Sequence, residues 1–280
     1  MTGIFWLASY PKSGNTWMRM ALASLRAGGA AVDINRPTGD EDAISASRRH
    51  FDRLLDITSS DMTPEEVASL RPDLYRSFAA SLAQPAFVKV HEASRRLPDG
   101  RLLFPPEATL GVACMLRDPR DVALSLSHHY ACGIERAIGI MADPEFSLTA
   151  STRSASPHLA QWIGSWSANV ASWLDDGPCP PILVRYEEMA GGLAGFLAQI
   201  ARQAGLPLEG DGAAERAAAA TRFEVLRGQE EAHGFRERPA GMARFFRAGT
   251  AGQWRTALTP AQAARIERDH GAVMARLGYL

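Results

Sequence analysis

Lysine is nearly absent from this chain: two occur in 280 residues, Lys12 and Lys89, while the other twenty-eight basic residues are arginine. A coding bias toward arginine and alanine accounts for the surface, and points to a GC-rich bacterial source. It leaves the two exceptions unexplained, because a chain that uses arginine wherever positive charge is enough should keep lysine where a compact, mobile ammonium is needed. Cysteine is also scarce. Cys114, Cys132 and Cys179 form no CxxC pair, too few for a disulfide framework or a four-ligand zinc site, so a reducing cytoplasm is the expected compartment and no structural metal is expected. No apolar run approaches the roughly twenty residues of a membrane span, and the short run near the N-terminus lacks the basic start of a secretory signal. Neither sign of charge dominates, with 30 Lys+Arg against 31 Asp+Glu and a formal charge of -1. A whole-surface field for nucleic acid or anionic membrane is thereby excluded, and any anion site must be local.

What is present is an alternation. Apolar runs at 4–9, 86–90, 109–116 and 181–185 read as strands, and helical spacing follows at 17–25, 121–130, 159–174, 193–205 and 211–221, with a last helix opened by Thr259 and Pro260 and ending near Met274. Weak helical signals at 50–57 and 64–70 lie in a polar stretch, and 131–156 reads as loop-rich. A charged, glycine-punctuated stretch at 229–252, containing FRERPAGMARFFRAGTAG, reads as an ordered or lid-like loop. Strands alternating with helices predict a parallel sheet covered on both faces. The fold class is therefore α/β, in three α/β/α layers, and with no repeat or linker residues 1–280 are expected to be one domain.

In such a sheet, ligands bind beyond the carboxyl ends of the strands. The loop after the first strand suits an anion. Gly14 permits close backbone approach, Ser13, Asn15 and Thr16 offer donors, and the following helix start supplies unpaired N–H groups with a positive dipole end. Lys12 adds a mobile charge, but precedes the glycine, so this is not the GxxxxGK[ST] loop of nucleoside triphosphatases. An ordinary capped turn is the plain alternative. After the third strand, Arg117 stands at the strand end with Ser125 eight residues on; pairing of Arg117 with Asp118 or Asp121 is the alternative there. Two anion-facing loops imply a ligand with two separated phosphates.

These stretches resemble the soluble sulfotransferases that use 3′-phosphoadenosine-5′-phosphosulfate (PAPS). Ala8-Ser9-Tyr10-Pro11-Lys12-Ser13-Gly14-Asn15-Thr16-Trp17 is similar to their 5′-phosphosulfate loop, and Leu116 through Ser125 to their 3′-phosphate motif. Lys89-Val90-His91, Gly164-Ser165-Trp166, Tyr186-Glu187-Glu188-Met189, Thr221-Arg222-Phe223 and Phe246-Arg247-Ala248-Gly249 match in order along nearly the whole chain. The resemblance implies a P-loop-like fold and sulfonate transfer to a hydroxyl, less often an amine, of a small acceptor, leaving adenosine 3′,5′-bisphosphate (PAP). No metal, nucleic acid or membrane span is implied.

By the same resemblance, Lys12 would assist the leaving oxygen, and Ser13, Gly14, Asn15 and Thr16 would hold the 5′-phosphate. Arg117 and Ser125 would bind the 3′-phosphate, and Trp17, Tyr186, Thr221 and Phe223 would surround the adenine. Arg247, Ala248 and Gly249 would close over the 3′-phosphate. Lys89 would reach the sulfonate, and His91 would be the general base, although a lone histidine is more often structural. His128 and His129 read as a helix end. The chain departs from the family at Glu92-Ala93, which makes Glu92 a possible accessory base, and at Ala248, where a lysine is usual. Arg255 to Ala264 resembles the dimerisation motif of animal members, but Pro260 and Ala264 break it, so a homodimer, if formed, is not expected to use that motif. An ATP-dependent small-molecule phosphotransferase on a related fold is the rival reading.

Overall fold

The computed structural model describes residues 2–36, 45–149, 156–208, 210–239 and 241–280. Among them the elements in chain order are β1 (Ile4–Ser9), α1 (Asn15–Arg26), α2 (Arg48–Leu55), α3 (Pro64–Ser81), β2 (Ala86–Val90), β3 (Thr109–Leu116), α4 (Pro119–His129), α5 (Ile134–Ala142), β4 (Ser147–Leu148), β5 (Gln161–Trp162), α6 (Trp166–Asp175), β6 (Ile182–Arg185), α7 (Tyr186–Ala204), α8 (Ala213–Ala220), α9 (Phe223–His233), α10 (Trp254–Ala257) and α11 (Pro260–Arg276).

Four strands form a parallel sheet in the order β2-β1-β3-β6. All six residues of β1 are buried, as expected of a central parallel strand covered on both faces. Side-chain alternation divides them. Ile4, Trp6 and Ala8 enter one apolar cluster with Tyr75, Phe104, Trp166 and Trp173, while Phe5 and Leu7 enter a second with Met18, Met20, Leu197 and Ile200. The register aligns the strand ends: Ala8 lies opposite Val90 and Ser9 opposite Met115, so the chain leaves β1, β2 and β3 at one edge of the sheet.

The four expected strands are found within a residue of their boundaries. The helices differ more. The stretch 131–156 contains α5, whose Ala137, Ile138 and Met141 are buried. The expected helix at 159–174 begins only at Trp166, because Ser165 caps it by accepting from the Ala168 amide and Gln161–Trp162 instead pairs antiparallel with Ser147–Leu148. The weak signal near 64 is an 18-residue helix, opened by a Thr63/Glu66 capping box and continuing through Pro72. Residues 229–233 of the expected loop complete α9.

Candidate active site

The residues that leave the neighbouring strands β2, β1 and β3 meet in a cavity of about 700 Å³. Lys12, Gly14, Asn15, Thr16 and Trp17 come from the β1–α1 turn, Lys89 and His91 from the end of β2, and Arg117 and Ser125 from β3–α4. Tyr186, Phe223, Arg247, Ala248 and Gly249 complete the far wall.

Backbone geometry sets the turn. Gly14 adopts φ 104°, and a Cβ there would lie 2.9 Å from the Tyr186 ring, so glycine is required on both conformational and steric grounds. Lys12 itself sits at φ 73°, a left-handed conformation that costs a non-glycine residue energy and is concentrated at functional turns. At Gly249, φ 68°, a Cβ would overlap the Phe223 ring, so the far loop also presses backbone against the wall.

Several buried polar atoms of the donor side have no protein partner among the described residues: Ser13 Oγ, Asn15 Oδ1 and Arg117 Nε. Such atoms are costly unless a ligand or solvent meets them. Arg117 Nε, with the helix start behind Gly14, fits an anion, whereas Asn15 Oδ1 only accepts and calls for a donor; Arg117 is not consumed by its neighbouring carboxylates. It donates to the Lys12 carbonyl at 3.1 Å and lies 4.1 Å from the Tyr186 ring centroid, whereas Asp118 pairs with Arg120 and Asp121 accepts the Gly252 and Trp254 amides.

Not every expected residue reaches the cavity directly. Ser13 and Thr221 are buried outside its wall. The Thr221 hydroxyl bonds back to Ala217 within its helix, and its carbonyl accepts from Trp17 Nε1 at 2.7 Å, so it acts on the cavity through Trp17. The Asn15 amide donates to Leu7 O at 2.7 Å and Ser9 Oγ at 3.0 Å, tying the turn to β1.

Electrostatics in the pocket are dominated by crowded positive charge. Burial, with Lys89 and Arg117 close by, lowers the Lys12 pKa to about 8, with Glu237 opposing. Burial and then Lys89 lower the His91 pKa to about 3, against a raising contribution from the Ser9 carbonyl. His91 Nδ1 lies 2.9 Å from Ser9 O and 3.0 Å from Ser9 Oγ. A carbonyl only accepts, so Nδ1 carries the proton and Nε2 is left bare.

Glu92 is displaced from the acceptor side. It is buried with Arg71 at 2.6 Å, and that guanidinium also binds Tyr75 and the Ser45 carbonyl. The accessory-base expectation fails because Arg71 draws Glu92 into the packing between α3 and β2. Three cavity residues carry no distinct sequence signal: Arg19 and Glu237, joined at 2.9 Å, and His129, whose Nδ1 lies 3.5 Å from Lys12 Nζ. In the sequence His129 reads only as a helix end. The stretch around Glu237 reads there as an ordered or lid-like loop, and Glu237, Pro239 and residues 245–249 supply one side of the cavity.

A family model described as the sulfotransferase domain matches residues 4–278. Cytosolic sulfotransferase 16 of Arabidopsis thaliana is 25% identical over 278 residues, covering 94% of this chain and 73% of the relative. Among solved structures, retinol dehydratase in complex with androsterone and inactive cofactor PAP superposes with a TM-score of 0.56 at 19% identity, covering 97% of this chain and 80% of the other. A mouse sulfotransferase complexed with PAP gives 0.60 at 16% identity, with 98% and 85% covered. At these identities the structural likeness is one of fold. Among the described residues no helix is long and apolar enough to cross a membrane.

Proposed function

Because the chain belongs to the sulfotransferase domain family, we propose that it transfers a sulfonate group from PAPS to the hydroxyl of a small acceptor, with His91 as general base. The donor supplies an activated sulfur and a phosphate leaving group. The chain supplies the rest. Thr16, the first-turn amides of α1 and Lys12 would hold the 5′-phosphate end, while Arg117, Ser125 and Arg247 would hold the 3′-phosphate. Trp17, Tyr186 and Phe223 offer aromatic surface for the base.

The observation that carries the reading is the 2.9 Å contact of His91 Nδ1 with the Ser9 carbonyl. With Nδ1 donating to Ser9 O, the bare Nε2 can accept the proton of an acceptor hydroxyl as its oxygen attacks sulfur. The sulfur–oxygen bond to phosphate breaks in line, and the Lys12 ammonium stabilises the charge left on that oxygen. A partly buried lysine with a lowered pKa is suited to follow such charge, and to share a proton with it.

Residues 1–280 act as one sulfotransferase domain in this reading. Cytoplasmic placement is supported by the cytosolic relative and by three cysteines that are all free. Calorimetry with PAP, AMP and ATP tests the assignment. PAP should bind much more tightly than AMP, since Arg117, Ser125 and Arg247 have no other anion to meet. Equal affinities, or a preference for ATP with magnesium, would favour the phosphotransferase reading instead.

A further inference from the structure

Glu237 is an unusual wall for a cavity built to hold an anionic donor. It lies on the loop after α9, one-third exposed, and its carboxylate takes Arg19 Nη1 at 2.9 and 3.1 Å. Its Oε2 also lies 3.6 Å from Lys89 Nζ. Burial would raise its pKa, but Lys89 and Arg19 outweigh that and hold it below the ordinary carboxylate value, so it is an anion at neutral pH. A carboxylate thus sits on the lysine that stands two residues before His91 on the same strand.

We propose that Glu237 is a positioning residue, a resting counter-ion that keeps the Lys89 ammonium turned to the loop until a donor sulfonate displaces it. The inference rests on the sulfotransferase reading above. A carboxylate and a sulfonate are both oxygen anions, and one ammonium cannot give its full charge to both. When the sulfonate arrives, Lys89 exchanges Glu237 for it, and Arg19 continues to hold the carboxylate. Once the sulfonate has left on the acceptor, Lys89 returns to Glu237, and the remaining bisphosphate loses nothing it had, because it never engaged this lysine. Glu237 therefore weakens the sulfonated donor selectively and lowers the ratio of donor to product affinity.

Affinities for PAPS and PAP, measured without acceptor on wild-type protein and on Glu237→Gln and Glu237→Asp, test this. Glu237→Gln should tighten PAPS by roughly twofold to fivefold, the scale of a partly exposed ion pair, while PAP changes by less than that. Glu237→Asp keeps the charge and should restore a ratio near wild type. A loop defect of purely structural origin would move both nucleotides together. An unchanged PAPS-to-PAP ratio in Glu237→Gln overturns the proposal. Wild-type protein that binds neither nucleotide would instead overturn the sulfotransferase reading beneath it.

Discussion

His91 Nδ1 and the carbonyl oxygen of Ser9 are 2.9 Å apart across the β1–β2 edge, so the strand that starts the anion loop also fixes which nitrogen of the histidine faces the cavity. Replacing His91 by Ala should lower turnover by about 10²- to 10⁴-fold, the range for loss of a positioned base. PAP affinity should stay close to wild type. A variant that melts earlier yet turns over normally per folded molecule would remove His91 from the mechanism.

A pKa of about 3 makes His91 a weak base in the unliganded enzyme, after burial chiefly because Lys89, Lys12 and Arg19 face it. Bound phosphate should offset those charges. The His91 pKa, followed by NMR titration of the imidazole nitrogens, is therefore expected to rise when PAP is added. A fall or no change would show that the lysines are not the site of anion binding.

Lys12 governs the other side of the pH profile. Its ammonium is charged below about pH 8 and loses its proton above, so kcat/KM for the donor should decline through pH 8. Lys12→Arg should abolish that limb, since a guanidinium stays protonated, and should also lower kcat by roughly 10²-fold because a planar fork misplaces the charge. Full activity in the arginine variant would show that any cation is enough.

Glu92→Gln separates stability from chemistry. Its carboxylate and Arg71 are both buried, and breaking such a pair from one side costs about 3–5 kcal/mol. Thermal denaturation should shift down markedly, with the pH profile of the surviving folded enzyme unchanged.

Gly14→Ala would force a side chain into φ 104° and against Tyr186. Left-handed backbone alone costs about 1–2 kcal/mol. PAP affinity should fall together with melting temperature, because the same turn shapes the anion loop.

Lys12, His91 and Arg117 are legible in the sequence because each follows a short apolar run, and parallel strands deliver their carboxyl ends to one place. Arg19, His129 and Glu237 are not. They reach the cavity through helix α1, the end of α4 and a loop more than a hundred residues further on, and such meetings are made by tertiary packing. Helix α3 is under-read because Pro72 interrupts its pattern, although its fixed φ is tolerated within a helix that Tyr75, Leu74 and Phe78 anchor in the core. Glu92 shows the opposite failure. Proximity to His91 along the chain suggests chemistry, yet Arg71 on α3 draws it into the interior.

The loop that borders the cavity is fastened in two different ways. The Glu230 carboxylate accepts the Phe245 and Phe246 amides at 2.7 and 2.8 Å, and Asp121 accepts those of Gly252 and Trp254. The Arg236 amide is likewise accepted by the Asn35 side chain, whereas Glu237 is held side chain to side chain by Arg19. A main-chain amide survives any substitution except proline, so each of those anchors rests on one side chain, its acceptor, whereas the Arg19–Glu237 anchor rests on two. Mutational drift therefore has two positions at which to break the anchor at Glu237 and one at which to break each of the others.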